Sequence, residues 1–183
     1  MKRIENRSMP IFKSKTIQGV EYGLAHLDPF QLCLPVDSRD IVVEIAFSCH
    51  CFTEKWQVHH APDLVYIHAG EQRAFNIERH RLSIGLPDIF RTLGTRSVYR
   101  SDGRDFFVLK DIPLENLKGP YLVFFDAFPS KKSEVNVRLN VTSAYIKPAM
   151  SLFASPIRFS TLIGSIAAGK KLAAGPKQQI KRK

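Results

Sequence analysis

No stretch of this chain approaches the ~20 apolar residues needed to cross a bilayer, and nothing behind the basic start "MKRIENRSMPIFKSK" has the apolar run of a secretory signal. A cytoplasmic protein is expected. Cysteine is scarce: three residues, an odd number, which argues against a disulfide framework and for reduced thiols. Acidic residues are also few, 17 against 27 Lys and Arg. That balance disfavours a two-metal nuclease, whose ions need several carboxylate ligands. The chain has no glycine-rich phosphate loop, no dinucleotide-binding glycine pattern, no Gly-x-Ser-x-Gly elbow, no His-Glu-x-x-His segment and no internal repeat.

What is present suits one ordinary domain: 183 residues, 44% hydrophobic and 24% charged. The net charge of +10 is unevenly spread, because residues 149–183 hold seven Lys and Arg and no acid, leaving +3 for residues 1–148. A basic balance favours polyanions such as nucleic acid. We read residues 1–18 as an N-terminal arm, 19–148 as a single α+β domain, and 149–183 as a basic tail, partly helical or disordered. Membrane attachment is the less favoured use of that tail.

Alternation of apolar and polar residues over "IVVEIAFSCHC" (41–51) predicts a strand with Cys49 and Cys51 inward and His50 outward. "LVYIHAGEQRAFNIE" reads as a hairpin turning at Ala69–Gln72. "GLPDIFRTLG" reads as a short helix with Leu86, Ile89, Phe90 and Leu93 on its apolar side. Asp102-Gly103 marks a second hairpin, "YLVFFDAF" a central strand, and "VNVRLNVTSAYIK" a strand whose inward row is Val135, Val137, Leu139 and Val141. Phe159, Leu162, Ile163 and Ile166 recur at helical spacing, with Ser160 as a possible cap and Gly164 as a weakening residue. The fold class expected is α+β, a mostly antiparallel sheet with one short helix.

Several residues carry possible chemistry. His50, on the polar side of its strand, suits general acid or base work near neutral pH. Arg73 and Arg79 flank a predicted strand and offer planar guanidinium groups for phosphate. The inward row of the last strand turns polar at Ser143, Tyr145 and Lys147, as at the rim of a cleft. Arg91, Arg96, Arg100, Lys170 and Lys171 are candidate nucleic-acid contacts. Zinc is not favoured, because strand parity separates His50 from Cys49 and Cys51 and only Cys33, His59 and His60 remain as further ligands. No metal and no cofactor is expected.

The elements "LDPF", "FSCHCFTEKW", "RAFNIERHRLSIGLPDIF", "YLVFF" and "VRLNVTSAY" resemble a group of small uncharacterised bacterial proteins met in mobile or phage-related neighbourhoods. At the level of fold, the order helix, hairpin, two long strands over residues 86–147 is similar to the metal-free ribonuclease fold of barnase and RelE-type toxins. That resemblance implies RNA cleavage by acid–base attack of the 2′-hydroxyl. The expected function is a metal-independent endoribonuclease, of toxin type, with His50, Arg73, Arg79, Ser143 and Tyr145 at its site and RNA, and a protein partner such as an antitoxin, as ligands. The rival expectation is a non-enzymatic adaptor that binds nucleic acid or protein.

Overall fold

A computed structural model describes residues 10–100, 107–112, 120–146 and 156–170. The turn at Asp102-Gly103, Lys147 and Lys171 lie outside them.

Two short strands, β1 (Lys15–Ile17) and β2 (Val20–Tyr22), open the fold as a small hairpin. They are followed by β3 (Phe30–Val36) and β4 (Arg39–Phe47), then by β5 (Thr53–Lys55), β6 (Val65–His68) and β7 (Glu71–Phe75). Helices α1 (Ile77–Ser83) and α2 (Leu86–Arg91) lead to β8 (Ser97–Arg100), β9 (Phe107–Ile112), β10 (Tyr121–Pro129) and β11 (Val137–Ile146). The described chain finishes with β12 (Ile157–Arg158) and α3 (Phe159–Ala167). The protein is α+β. Its main sheet has the order β12-β8-β9-β10-β11-β4-β3, antiparallel except where β11 and β4 run side by side, and β5, β7 and β6 form a second sheet of three strands.

Alternation works as expected in β4 and the first half of β11, whose parallel register sets Val43 beside Val137, Ile45 beside Leu139 and Phe47 beside Val141. All six are buried. The helices cover this row: Phe90 meets Phe47 and Phe125 edge-on, and Phe159 meets Phe125. The other side carries Glu44, bonded to Lys132 at 2.6 Å and paired with Arg138 at 3.4 Å. Phe52, fully buried between Phe12, Tyr66 and Phe75, ties the smaller sheet to the rest. Ala69 (φ 49°) and Gly70 (φ 81°) make the tight turn between β6 and β7, the conformation a two-residue hairpin loop needs. Among the described residues, no helix is long and apolar enough to cross a membrane.

Four features depart from the sequence reading. The strand expected through residue 51 stops at Phe47, where Ser48 starts a 3₁₀ turn over Cys49–Cys51 by accepting the His50 N–H on its hydroxyl. Helix α1 was not foreseen, because its buried residues are His80, Leu82 and Ser83 while Ile77 and Ile84 are exposed, so no apolar stripe announces it. The N-terminal arm is part of the core: Phe12 is 2% exposed and the Tyr66 hydroxyl donates to the Lys13 carbonyl at 3.0 Å. So is the beginning of the expected tail, since β12 pairs with β8 and α3 buries Phe159, Leu162, Ile163 and Ile166; its cap residue is Arg158, without a side-chain bond, not Ser160.

His26 shows how α1 is seated. Its Nε2 lies 2.8 Å from the Ser83 hydroxyl, which itself donates to the His80 carbonyl at 2.7 Å, so Nε2 must carry the proton. Burial, and then the neighbouring His80, hold the His26 pKa down to about 4 against the opposing pull of Asp28.

The unfolded chain therefore takes up the His26 proton near pH 6.5 and the native chain only near pH 4. Stability from this residue is complete above pH 6.5 and is lost as the pH falls toward 4; unfolding midpoints measured across that window should decline, and less so in His26→Gln. A second expectation concerns Gly164, where an added Cβ would stand 2.8 Å from Val36 Cγ1. Helix propensity alone scores Gly164→Ala as a gain of about 1 kcal/mol. Overpacking costs about 1–3 kcal/mol, so urea denaturation should show a net loss of up to about 2 kcal/mol.

Candidate functional site

The smaller sheet meets the end of β4 and β11, and four separate segments converge there. The 3₁₀ turn presents His50, half-buried, with its Nε2 3.1 Å from Glu71 Oε2 on β7. The other Glu71 oxygen accepts from Arg73 Nη1 at 2.7 Å. Arg73 Nε donates to the Thr53 hydroxyl at 2.7 Å, and that hydroxyl donates to the Cys49 carbonyl at 2.6 Å. Thr53 is fully buried, so its one oxygen fastens both the turn and the guanidinium in place. A carboxylate accepts only, hence the His50 proton sits on Nε2 and Nδ1 is left as the acceptor. Both bonds to Glu71, the one from His50 first, hold its carboxyl below the usual range.

Arg79 enters from the first turn of α1. Asn76 caps that helix, accepting the Arg79 N–H on Oδ1 at 2.9 Å, while its Nδ2 donates to Glu54 Oε1 at 3.1 Å. The Arg79 guanidinium donates to the Thr53 carbonyl at 2.6 Å and to the His50 carbonyl at 3.5 Å, and lies over the Tyr145 ring, 5.1 Å from its centroid. Among the described residues no carboxylate pairs with it. Burial lowers its pKa, with Glu54 pulling the other way. Arg73 and Arg79 thus stand with two carboxylates, Glu71 in contact with Arg73 and Glu54 bonded through Asn76, beside a histidine.

Of the five expected site residues, His50, Arg73, Arg79 and Tyr145 come together. Ser143 does not join them by any hydrogen bond among the described residues, and the reason given for it fails. A β-bulge pairs Phe124 with Ser143 but Phe125 with Val141, leaving Thr142 over, its hydroxyl bonded to the Phe124 carbonyl at 3.2 Å. Inward positions therefore resume at Ala144, fully buried, while Ser143 and Tyr145 are half-buried; the Tyr145 ring stacks on Phe124 at 5.4 Å. The buried Tyr121 hydroxyl has no hydrogen-bond partner among the described residues, and burial raises its pKa, with Arg79 pulling the other way.

The expected nucleic-acid contacts lie elsewhere. Arg91 is bonded to Asp88 at 2.6 Å and lies 4.9 Å over the Phe30 ring. Arg96 is exposed, Arg100 is on β8 three strands from β11, and Lys170 lies on the rim of a separate cleft of about 730 Å³ between α3 and the β3–β4 turn. Sequence reading missed Glu71 and the role of Thr53. Glu71 was findable, since it stands two residues from Arg73 on the same side of one strand.

Cys49 and Cys51 are buried as expected, but parity does not keep Cys49 apart from His50: in the 3₁₀ turn donor atoms of Cys49, His50 and Glu71 lie within 4.8 Å of one another. An ion here would have to share a carboxylate whose two oxygens already accept hydrogen bonds, with the Arg73 guanidinium against it. Burial also raises the Cys49 thiol, though Arg73 opposes this, and pushes Cys51 up to about 12.

Replacing Thr53 tests the frame. Thr53→Val keeps the shape but strands Arg73 Nε and the Cys49 carbonyl, and should lose about 1–3 kcal/mol of stability in urea denaturation, whereas Thr53→Ser should stay near wild type.

Comparison with curated proteins and with solved structures returns no match. A family model does match, across residues 14–167, which take in every segment of the site just described. The chain belongs to the YjaZ family.

Proposed function

We propose that this protein is a metal-independent endoribonuclease, of the kind that acts as a toxin. The observation that supports it most is His50 held on one nitrogen by a carboxylate that Arg73 shares, with Arg79, which has no carboxylate partner among the described residues, bonded to the His50 carbonyl. A half-buried cation that bonds only to carbonyls and a ring is prepared for an anion. Residues 50, 73, 79 and 145 were chosen from strand position and side-chain chemistry; the likeness to barnase and RelE-type enzymes, which supplies the reaction type, remains part of this proposal.

In this reading His50 Nδ1 takes the proton of a ribose 2′-hydroxyl, whose oxygen then bonds to the neighbouring phosphorus. Arg73 and Arg79 face the charge growing on the phosphorane oxygens. The bond to the 5′-oxygen breaks and that oxygen takes a proton from the Tyr145 hydroxyl. The products are a 2′,3′-cyclic phosphate and a 5′-hydroxyl end. Glu71 is a positioning residue, fixing the tautomer that leaves Nδ1 free.

Purified protein incubated with mixed-sequence RNA in EDTA should cleave it, and His50→Ala should slow cleavage by roughly 10²–10⁴-fold with an unchanged unfolding midpoint. Absence of cleavage by the wild type, with RNA binding that falls steeply as salt rises, would replace this reading with that of a binding module.

A further inference from the structure

We propose that Cys49, His50 and Glu71 form a binding site for a zinc ion that, when occupied, switches off the acid–base chemistry of His50. The site stands on geometry; its effect on RNA cleavage rests on the ribonuclease reading. Donor atoms of the three residues lie within 4.8 Å of one another, and His50 Nε2 is already 3.1 Å from Glu71 Oε2. Two ligands of one tetrahedral zinc ion stand about 3.3–3.6 Å apart, given bonds of about 2.0–2.3 Å. An ion therefore fits where a hydrogen bond now joins imidazole to carboxylate, and a movement of about 1 Å brings the sulfur in. The turn that carries both neighbouring ligands is already fastened, by the Ser48 hydroxyl on the His50 N–H and the Thr53 hydroxyl on the Cys49 carbonyl.

The donor set selects the metal. A thiolate with an imidazole suits zinc, whereas magnesium and calcium take oxygen ligands. Cys49, 5% exposed, closes the inner end, while the His50 and Glu71 side chains, 37% and 51% exposed, leave an entry from solvent. Three protein ligands with one open side is the pattern of a zinc ion that keeps a water. Glu71 Oε1 accepts from Arg73 and Oε2 faces His50, so the ion takes Oε2 and the Arg73 bond remains as outer support for the carboxylate. Arg73 repels the ion by charge; Glu71 and the ionised Cys49 sulfur, both ligands, offset this. Binding then rearranges the protons. The Cys49 thiol gives its proton to solvent. A neutral imidazole has one lone pair, and once the ion takes it the other ring nitrogen carries the proton. Nδ1, the acceptor for the 2′-hydroxyl proton, is then either metal-bound or protonated, so zinc here inhibits and takes no part in cleavage.

The test uses the full chain, stripped with EDTA and returned to metal-free buffer, with cobalt(II) as a coloured stand-in for zinc. Cobalt should raise a sulfur-to-metal absorption band that saturates at one ion per chain; zinc should displace it and magnesium should not. Cys33→Ser, which removes the exposed thiol, should leave the band unchanged, and Cys49→Ala should abolish it. Glu71→Gln tests the same site without touching the buried thiol and should weaken zinc at least about 10-fold, the loss that even an outer-shell change brings. No band, a band that survives Cys49→Ala, a band lost with Cys33→Ser, or unchanged affinity in Glu71→Gln would each overturn the site. Cleavage of RNA is scored separately. Zinc should inhibit the wild type, and Cys49→Ala, cleaving as the wild type does without zinc, should need at least about 10-fold more of it. Equal inhibition of both removes the switch and leaves the ribonuclease; a band from a protein that does not cleave RNA without zinc keeps the metal site and removes the ribonuclease.

Discussion

The parallel pairing of β4 with β11 is the constraint on which the rest depends. Parallel neighbours cannot be joined by a tight turn, so everything between residues 47 and 137 must travel out and return. Asn136 begins the pairing, accepting the Val42 N–H on its side chain and donating its own N–H to the Val42 carbonyl; Ser48 ends it, donating to the Val141 carbonyl. Where β4 leaves β11 the 3₁₀ turn starts, and His50 is thereby fixed near the stretch of β11 that carries the bulge. The small sheet and α1, which bring Glu71, Arg73 and Arg79, lie within the returning chain.

Polar groups at this junction are matched with little to spare. Thr53 has one hydroxyl and uses it as donor and acceptor at once, and both oxygens of Glu71 are taken. Arg79 is the exception, satisfied by carbonyls and an aromatic face and by no opposite charge among the described residues. The charge left without a contacting opposite charge among the described residues of this junction is thus a cation, which favours an anion beside Arg79.

Where burial follows a simple period, the structure was legible. The inward rows of β4 and early β11, the apolar side of α2 and the four core positions of α3 could all be read from the chain. Reading failed where tertiary context overrides the period. Helix α1 presents His80 and Ser83 inward; the alternation of 41–51 continues in the letters past the point where Ser48 ends the strand; and the bulge at Thr142 moves the inward row by one residue. Of the five residues named from chemistry and position four come together, yet Tyr145 was chosen for a parity it does not have. Thr53 became visible as a fastener only once β5, β7 and the turn were seen together, because none of its partners beyond Cys49 is near it in sequence.

The position of β11 late in the chain orders events during synthesis. Chains emerge N-terminus first, at about 5–20 residues per second, and local structure forms as it appears. His50, Arg73 and Arg79 lie far ahead of Tyr145, and β4 has no partner on its β11 side until residues 137–141 have been made. The catalytic candidates thus wait on a nascent chain in which Arg79 has no Tyr145 ring beneath it and the core row of β4 is half covered. Assembly of the site is a long-range closure and not a local event, and it falls after the ribosome has passed residue 145.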